Sequence, residues 1–401
     1  MPVKLTLVIL SAFLLGSFLP ESLKSILLTT SLAMKEILLF VLPAIVFFLV
    51  FASFSQLSGG FMVFTGLLIS LVCISNFAAL MISYPVGIFT QDFIVSTRTI
   101  SAQSHGLTPY FTMHLPKICD NSTALIFGVL LGIYASSRDN KMMKIFASKG
   151  SALVNLFLSR VFTPVLPIFI LGFILKAQHD GLLSVLFKNF VPLLSVIIVL
   201  YISYIGFLYM LVKGFRVNKA LHALKNIVPA TIIGFSSMSS AAAMPVLIDG
   251  ATKNSKDKEL PKRIVPFITN THMMGDALAI PLMAMSLYIV EYGHMPSADK
   301  YLMFAIGYVL AKFASAGIPG GTILIMTPVL ESKLGFTSEM SSIILTTYLL
   351  FDPFCTLGSI FGNGAFSMAF EKLKNLALPE RVVPESSVVM AEISLGSEVK
   401  D

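Results

Sequence analysis

The 401-residue sequence contains no tryptophan, three cysteines and only 12% charged residues. The low charge content excludes an ordinary soluble protein of this length. Because Cys73, Cys119 and Cys355 show no paired spacing, neither a disulfide framework nor a cysteine-based metal cluster is indicated. A phosphate-binding loop of the GxxxxGK[ST] type is missing as well, which argues against a pump driven by ATP hydrolysis.

Long apolar runs make up most of the chain. Hydrophobic residues account for 56% of it and the mean hydropathy is +0.86, which is typical of a protein that crosses a membrane several times. One crossing needs about 20 apolar residues. The sequence predicts an all-α polytopic membrane protein with eight spans, near residues 4–20, 26–57, 62–90, 122–137, 155–176, 186–212, 264–290 and 340–370. The first run is interpreted as a span because it lacks the cleavage site of a signal peptide.

Basic residues are concentrated in three predicted loops, within residues 138–149, 213–225 and 253–263. Short loops rich in Lys and Arg face the cytoplasm, so these loops and both termini are predicted to lie on that side of a cell inner or plasma membrane. Because the predicted spans cross a membrane, the lipid bilayer is an expected partner. The net charge of +7 serves topology on this interpretation, and it does not indicate binding of nucleic acid.

Two apolar segments, 226–252 and 303–333, have features that do not suit a simple span. Basic loops flank the first segment on both sides, which favours a re-entrant hairpin. The second carries the sequence FASAGIPGGTI (313–323), where Gly317, Pro319 and Gly320 are predicted to interrupt the helix. Two hairpins entered from opposite faces form an inverted repeat, and interrupted segments of this kind mark the solute site of secondary transporters. A kinked but continuous span is the alternative.

Several stretches resemble the dicarboxylate/amino acid:cation symporter family, which includes the glutamate and aspartate transporters. The resemblance covers most of residues 1–375. GFSSMSSAAAMPV (234–246) resembles the serine-rich first hairpin, and SAGIPGG (315–321) resembles the tip of the second. The order of further motifs agrees, namely LPAIVFFLVFAS (42–53), TPVLPIFILGFIL (163–175) and THMMGDAL (271–278).

The resemblance implies the glutamate-transporter-homologue fold, a homotrimer and an elevator mechanism. A static scaffold would comprise spans 1–2 in residues 1–61 and spans 4–5 in residues 91–185. A moving transport domain would comprise span 3 in residues 62–90 and all of residues 186–375. The latter region contains span 6, hairpin 1 (226–252), span 7, hairpin 2 (303–333) and span 8, and residues 376–401 would form a cytoplasmic tail.

The eighth span carries the main prediction about the substrate. In the family, an Asp binds the substrate's amino group and an Arg three residues later binds a side-chain carboxylate; here these positions hold Asp352 and Cys355. An intramembrane carboxylate is a functional candidate by default because its burial is costly. A dicarboxylate would need a guanidinium fork, yet residues 264–370 contain no Arg. The predicted substrate is therefore a small neutral amino acid such as Ser, Thr or Ala.

The hairpins are predicted to supply further substrate contacts. The substrate's α-carboxylate would meet backbone amides and hydroxyls near helix N-termini, which favour anions. The full predicted set is Ser239, Ser240, Gly317, Pro319, Gly320, Asp352, Cys355, Thr356 and Ser359. Two alternatives stay open: an acidic amino acid or C4-dicarboxylate symporter of the same family, and an uncoupled channel or sensor on the same scaffold.

The predicted ion-coupling positions depart from the family pattern. Family carboxylates that help hold sodium fall on Met274 and Asn363, and sodium prefers oxygen ligands to a thioether. Lys312 falls near another family sodium site, where its ammonium would replace a cation. The coupling ion is therefore predicted to be either sodium or a proton, with no other cofactor. The predicted coupling residues are His272, Asp276, Lys312, Asn363, Ser75 and Asn76.

Two further interpretations concern residues of the same site. Ser239 or Ser240 with His272 is the only pairing that would suit an intramembrane serine hydrolase, and no GxSxG elbow accompanies it. In the second interpretation, Asp352 is a structural partner of Lys312 and does not contact substrate. Both interpretations depend on distances that the sequence does not contain.

Overall fold

The computed structural model describes residues 16–55, 62–94, 107–113, 115–116, 119, 121–138, 140–179, 182–315 and 320–377. Within these ranges the regular structure is entirely helical. The predicted first span lies outside the described residues except for its end, where Gly16–Phe18 forms a 3-10 turn. Five stretches are long and apolar enough to cross a membrane, namely Val63–Ile94, Lys141–Phe162, Phe190–Val212, Leu260–Tyr292 and Glu339–Leu376. The chain is a multi-pass membrane protein.

The helices are numbered here in chain order. The first seven are α1 (Glu21–Ser55), α2 (Met62–Ile94), α3 (Asn121–Ser137), α4 (Lys141–Leu156), α5 (Thr163–His179), α6 (Leu182–Val212) and α7 (Val217–Lys225). The next seven are α8 (Val228–Ser237), α9 (Ser240–Asn254), α10 (Leu260–Thr271), α11 (Met274–Tyr292), α12 (Ala298–Ala311), α13 (Gly321–Val329) and α14 (Ser338–Ala377). A π-helical turn, Phe157–Phe162, joins α4 to α5.

The helices form two packing groups. Helix α1 packs mainly against α3, α4 and α5. Helix α11 lies at the centre of the second group, where it packs against α2, α6 and α14, and α14 in turn packs against the pair α8 and α9. In the apolar part of Leu260–Tyr292, 89% of residues are buried inside the protein, against 28% in Val63–Ile94. A helix buried on all sides within a membrane protein is shielded from lipid, so α11 can carry polar groups at low cost.

Both segments predicted as hairpins are interrupted and contain two helices each, and their re-entrant course through a membrane stays a prediction. In segment 226–252, α8 ends at Met238, whose left-handed backbone (φ 56°) reverses the chain, and α9 begins at Ser240. In segment 303–333, α12 and a 3-10 turn end at Ala314, and α13 begins at Gly321. The first arm of this second pair begins at Ala298, earlier than predicted. Entry from opposite membrane faces stays a prediction.

The predicted span 264–290 is not one continuous helix. The chain leaves helical geometry at His272 and Met273 (ψ 75° and 76°) and resumes it in α11. A helix end leaves carbonyl groups without intrahelical donors. The Asn76 side chain of α2 meets part of that need, because its amide donates to the Thr271 carbonyl at 2.9 Å. The interruption brings two helix ends into the protein interior.

Two of the predicted basic loops are largely helical. Helix α4 already begins at Lys141, where the Asn140 side chain accepts a hydrogen bond from the Met143 amide and caps the helix. The predicted span 155–176 is thus the second half of a longer helical stretch. The predicted loop 213–225 contains α7, which begins at Val217. In both cases the basic residues were the basis for predicting a cytoplasmic loop, but a cluster of charges does not distinguish a loop from the end of a helix.

Gly275 sets the separation of α11 and α14. A Cβ atom at this position would lie 2.0 Å from the Cys355 carbonyl oxygen and 2.7 Å from the Ser359 amide nitrogen, both of them backbone atoms. The Gly275 amide also donates to Ser359 Oγ at 3.1 Å, and its carbonyl accepts from the Tyr201 hydroxyl at 2.8 Å. The two helices therefore meet at backbone contact.

We expect Gly275→Ala to destabilise the protein by about 1–3 kcal/mol, the usual range for overpacking a close contact. The added methyl group has no flexible neighbour to displace, so α11 and α14 must move apart. Thermal unfolding of the purified protein would report this as a lower midpoint. Gly206→Ala in α6 is the matched control, because no atom lies within 4 Å of its added Cβ. Equal midpoints for the two variants would contradict the proposed contact.

Candidate functional site

An ion pair between two helix ends lies at the centre of the buried polar region. Lys312 follows the last residue of α12, and Asp276 lies in the first turn of α11. Their charged atoms, Lys312 Nζ and Asp276 Oδ2, are 2.9 Å apart. A cation at a helix C-terminus and an anion at a helix N-terminus are each favoured by the helix dipole. The pair therefore joins the second hairpin to the interruption before α11.

Neutral hydroxyls complete the coordination of the Asp276 carboxylate. Thr322 of α13 donates to Asp276 Oδ2 at 2.9 Å, and Tyr348 of α14 donates to Asp276 Oδ1 at 2.9 Å. Lys312 is fully buried and Asp276 is 3% exposed. Because desolvation of two charges is offset only when their geometry and remaining hydrogen bonds are good, these hydroxyls are part of what stabilises the pair. Three helices and the end of a fourth meet at this carboxylate.

Asp352 is a second buried carboxylate, and its partners differ in kind. Its Oδ2 accepts a hydrogen bond from the Gly320 amide at 2.8 Å, and its Oδ1 lies 3.3 Å from the Tyr348 hydroxyl and 3.4 Å from the Thr356 hydroxyl. The Tyr348 hydroxyl has one proton, which the shorter contact gives to Asp276. The donors left to Asp352 are the uncharged Gly320 amide and Thr356 hydroxyl. Gly320 adopts a left-handed conformation (φ 70°) that directs its amide at Asp352, a geometry in which residues with a Cβ are strained.

The interpretation of Asp352 as the structural partner of Lys312 is wrong. Lys312 is hydrogen-bonded to Asp276 and Thr322, and in the part of the chain that the structure describes no ion pair involves Asp352. The Lys312 ammonium therefore pairs with the Asp276 carboxylate and not with that of Asp352. Asp352 is the buried carboxyl group to which the described residues supply no paired cation.

The other residues predicted in the eighth span line the same region of α14. The fully buried Cys355 thiol lies near the Tyr201 hydroxyl and near both carboxylates. Thr356 lies one helical turn after Asp352 and bonds to it. Ser359 instead accepts from the Gly275 amide, so its hydroxyl serves the contact between α11 and α14. Asp352, Cys355 and Thr356 are brought together, whereas Ser359 lies deeper in the helix contact.

The first hairpin approaches the site through its first arm. A Cβ at Gly234 of α8 would meet Ile360 and Thr356 of α14, so the two helices pack closely beside the candidate site. Ser239 caps α9, since its Oγ accepts from the Ala242 amide at 3.2 Å, and Ser240 is buried in the first turn. No hydrogen bond between either serine and Asp352 is present in the described part of the chain. Their substrate role stays a prediction.

At the tip of the second hairpin, Gly320 donates its amide to Asp352, and its contact with substrate stays a prediction. Gly317 and Pro319 fall outside the described residues.

The predicted ion-coupling residues form two clusters. Asp276 and Lys312 make the ion pair. His272 belongs to the other cluster, in which its Nε2 lies 2.8 Å from Ser75 Oγ and its Nδ1 lies 2.8 Å from Asn363 Oδ1. The imidazole thereby bridges α2 and α14. With both ring nitrogens engaged in this way, the pairing of His272 with Ser239 or Ser240 that a hydrolase would need is not formed.

Two buried amide atoms beside His272 have no hydrogen-bond partner among the described residues. They are Asn76 Oδ1 and Asn363 Nδ2. A buried polar group without a partner is costly, and such groups in native proteins have a functional or solvent-related cause. Met274 is buried against Gly362 and supplies only a thioether, which is a poor ligand for a hard cation. The oxygens near His272 therefore fit a cation less well than an all-oxygen site would.

Sequence reasoning missed Tyr348 and Thr322, the two hydroxyl donors to Asp276. Tyr348 could have been predicted from the sequence. It lies four residues before Asp352 and eight before Thr356, which puts all three side chains on one helix face. Thr322 could not have been predicted, since its contact depends on how α13 packs against α11. The Tyr201 contact with Cys355 likewise joins residues far apart in the chain.

Comparisons with known proteins agree with the architecture. The sequence profile of the sodium:dicarboxylate symporter family matches residues 1–373. Neutral amino acid transporter B(0) of Oryctolagus cuniculus is 24% identical over 172 residues, which are 41% of this chain and 30% of that protein. The proton/sodium-glutamate symport protein of Bacillus caldotenax is 22% identical over 190 residues, which are 46% of this chain and 44% of that protein. The chain thus matches less than half the length of either relative.

We expect Lys312→Met to destabilise the protein by about 3–5 kcal/mol, because it leaves the Asp276 carboxylate buried without its cation. The double variant Lys312→Met with Asp276→Asn removes both charges and should recover much of the loss. Thermal unfolding of the wild type, Lys312→Met, Asp276→Asn and the double variant is the measurement. Additive losses in the double variant would show that the two side chains do not act as a pair.

Proposed function

Because the chain belongs to the sodium:dicarboxylate symporter family, a family of secondary transporters and not of enzymes, we propose that it takes up a small neutral amino acid by ion-coupled symport. The proposal covers three separate features: the group that recognises the substrate, the element that closes over it and the ion that drives uptake. Each of the three depends on different residues of the buried polar region.

The observation that carries the proposal is the unequal state of the two carboxylates. Asp276 is paired with the Lys312 ammonium, whereas among the described residues Asp352 receives hydrogen bonds only from the neutral Gly320 amide and Thr356 hydroxyl. A ligand with a positive charge would be attracted to Asp352, since an opposite charge offsets the burial of a carboxylate. The ammonium group of an amino acid supplies that charge. A dicarboxylate lacks one and would be repelled.

Cys355 supports a neutral side chain on the substrate. It is fully buried beside Asp352, it has no charge with which to pair a second carboxylate, and no Arg occurs in residues 264–370. The similarity to a protein named a neutral amino acid transporter is consistent with this. The glutamate symport protein is a relative of comparable similarity, so an acidic substrate is the second candidate. An acidic substrate would need a guanidinium or another fixed cation in the site to bind its side-chain carboxylate.

The tip of the second hairpin is the proposed gate. Gly320 donates its amide directly to Asp352, so the tip lies on the carboxylate that is proposed to bind the amine. An entering substrate would take over this hydrogen bond, and the tip would have to move. The amides at the start of α13 would then face the substrate's α-carboxylate, as helix N-termini favour anions.

The proposed transport mechanism is an elevator within a homotrimer. Helix α1 packs mainly with α3, α4 and α5, and α11 packs mainly with α2, α6 and α14, which supports a division into a scaffold and a transport domain. The boundaries proposed are those of the sequence: scaffold in residues 1–61 and 91–185, transport domain in residues 62–90 and 186–375. Subunit contacts would be made by the scaffold.

The driving ion is proposed to be sodium or a proton. Lys312 places a fixed ammonium against Asp276, which leaves little attraction for a sodium ion at that carboxylate. His272 occupies the space between Ser75 and Asn363, and the amide oxygen of Asn76 nearby has no partner in the described part of the chain. One unpartnered oxygen is fewer than the several that sodium prefers, which supports a reduced role for sodium.

We expect Asp352→Asn to abolish saturable uptake of L-serine into proteoliposomes, because the neutral amide cannot attract the substrate ammonium. Asp249→Asn is the matched control. Asp249 is an exposed residue of α9 whose only ion pair is with Lys253 within one helical turn, so uptake should be unchanged. Serine uptake that survives in Asp352→Asn would contradict the amine-binding role. In the wild type, competition by aspartate but not by alanine would favour the acidic alternative.

Uptake under single ion gradients tests the coupling. If Lys312 and His272 have replaced bound sodium, an inward proton gradient alone should concentrate labelled L-serine above equilibrium, and an inward sodium gradient alone should not. Lys312→Ser should then increase the dependence on sodium, since the fixed ammonium is gone. Accumulation driven only by sodium in the wild type would contradict the replacement. Equilibration without accumulation under either gradient would indicate a channel.

A further inference from the structure

The short helix α7 (Val217–Lys225) takes no part in the proposed substrate site, and its apolar side chains are exposed. Val217 is 55% exposed and Leu221 is 60% exposed, as is Phe215 immediately before the helix. Ala220 and Ala223 are buried against the rest of the protein. Leu224 is half-buried and packs against the core, so Val217 and Leu221 are the large apolar side chains that α7 leaves exposed.

The side chains of α7 divide its circumference into three arcs. Ala220 and Ala223 occupy the arc that faces the protein. Val217 and Leu221, four residues apart, occupy the adjoining arc. The remaining arc is polar and exposed, and carries Asn218, Lys219 and His222. A helix with protein on one flank, an exposed apolar arc and a polar arc has the geometry of a helix lying in a membrane interface.

The apolar arc of α7 continues a surface that faces lipid. On α6, Phe207 is 52% exposed and Leu211 is 48% exposed. The Phe207 and Phe215 rings are in edge contact with centroids 6.3 Å apart, so Phe215 extends the exposed surface of α6 toward α7. Ile232 of α8, the next helix in the chain, is 62% exposed as well. The exposed apolar surface thus runs from a predicted membrane span to α7.

The charged side chains within residues 213–225 are all basic. Residues 213–225 contain Lys213, Arg216, Lys219, His222 and Lys225 and no acidic residue. Among the described residues, Arg216, Lys219 and Lys225 have no carboxylate partner. Several other exposed lysines do have one, in the pairs Lys253–Asp249, Lys262–Glu259 and Lys374–Asp257.

Burial is the main cause that lowers the pKa of Lys213. Among its charged neighbours, Glu371 of α14 opposes the change, and Lys372 and Lys219 lower the pKa further.

We propose that α7 lies flat in the membrane interface and binds the phosphate headgroups of anionic lipids. Phe215, Val217 and Leu221 would enter the boundary of the acyl chains, and Arg216, Lys219 and Lys225 would contact the headgroups. Anionic lipid is the occupant that satisfies both features, because it offers an apolar layer directly beside a negatively charged one. This inference concerns a surface away from Asp352 and does not depend on the identity of the transported solute.

The absence of tryptophan from the chain permits a direct test. In the full-length protein with Leu221→Trp, the new side chain is the only tryptophan, and its fluorescence can be measured in vesicles. We expect blue-shifted emission that is quenched by brominated lipid. At equal mole fractions, brominated phosphatidylglycerol should quench more strongly than brominated phosphatidylcholine, with an enrichment of about fivefold for each basic side chain near the headgroups.

Two matched proteins complete the experiment. Asn218→Trp places the fluorophore on the polar arc of the same helix, where emission should be redder and quenching by lipid weaker. Adding Arg216→Gln, Lys219→Gln and Lys225→Gln to Leu221→Trp should abolish the preference for phosphatidylglycerol while the quenching by phosphatidylcholine persists. That result would support the proposal, and a retained preference would overturn the role of the three basic residues.

Other outcomes would overturn the proposal in distinguishable ways. Red emission from Leu221→Trp that is quenched by aqueous iodide would show that the apolar arc faces water. Emission that changes with the ratio of protein to lipid would show that a second copy of the chain covers the helix. Equal quenching by the two brominated lipids would show an interfacial helix with no anionic headgroup site.

Discussion

The buried ion pair between Lys312 and Asp276 is the interaction on which the rest of the polar interior depends. It joins the C-terminal end of one helix to the N-terminal end of another, and hydroxyls of Thr322 and Tyr348 complete it. Removing either charge leaves the other buried and unpaired, which is far more costly than the pair itself. The same pairing uses the ammonium that would otherwise neutralise Asp352. The Lys312–Asp276 pair does not include Asp352, yet it determines that Asp352 has no paired cation among the described residues.

Backbone interruption is what makes these contacts possible inside an apolar bundle. The chain leaves helical geometry at His272 and Met273, and again between Ala314 and Gly321. Each interruption directs polar groups at a neighbour: the Thr271 carbonyl accepts from Asn76, the Gly275 carbonyl from Tyr201, and the Gly320 amide donates to Asp352. In a low-dielectric interior such groups must be paired or solvated. The proposed gate and the proposed binding carboxylate are thus linked by a single hydrogen bond.

The proposed lipid contact of α7 would attach the first hairpin to the bilayer. Helix α7 directly precedes the first hairpin in the chain, and α8 of that hairpin packs against α14 beside Thr356. If α7 binds anionic headgroups, the helix group that carries the proposed substrate site is held at one depth in the membrane. An elevator movement would then act against that attachment, and the lipid composition would enter the energetics of transport.

The sequence by itself determined the class of protein, the two interrupted segments and the chemical identities at the site, because hydropathy, helix-breaking residues and the absence of Arg are local properties. Asp352, Gly320, Asp276 and Lys312 were all predicted at functional positions. Only the tertiary structure decided which carboxylate receives the ammonium, and it assigned Lys312 to Asp276. The same holds for Tyr348, Thr322 and the interruption at His272, whose contacts join helices that are distant in the chain. Pairing in a buried network depends on separations of a few ångströms between such helices, and no spacing along the sequence encodes those distances.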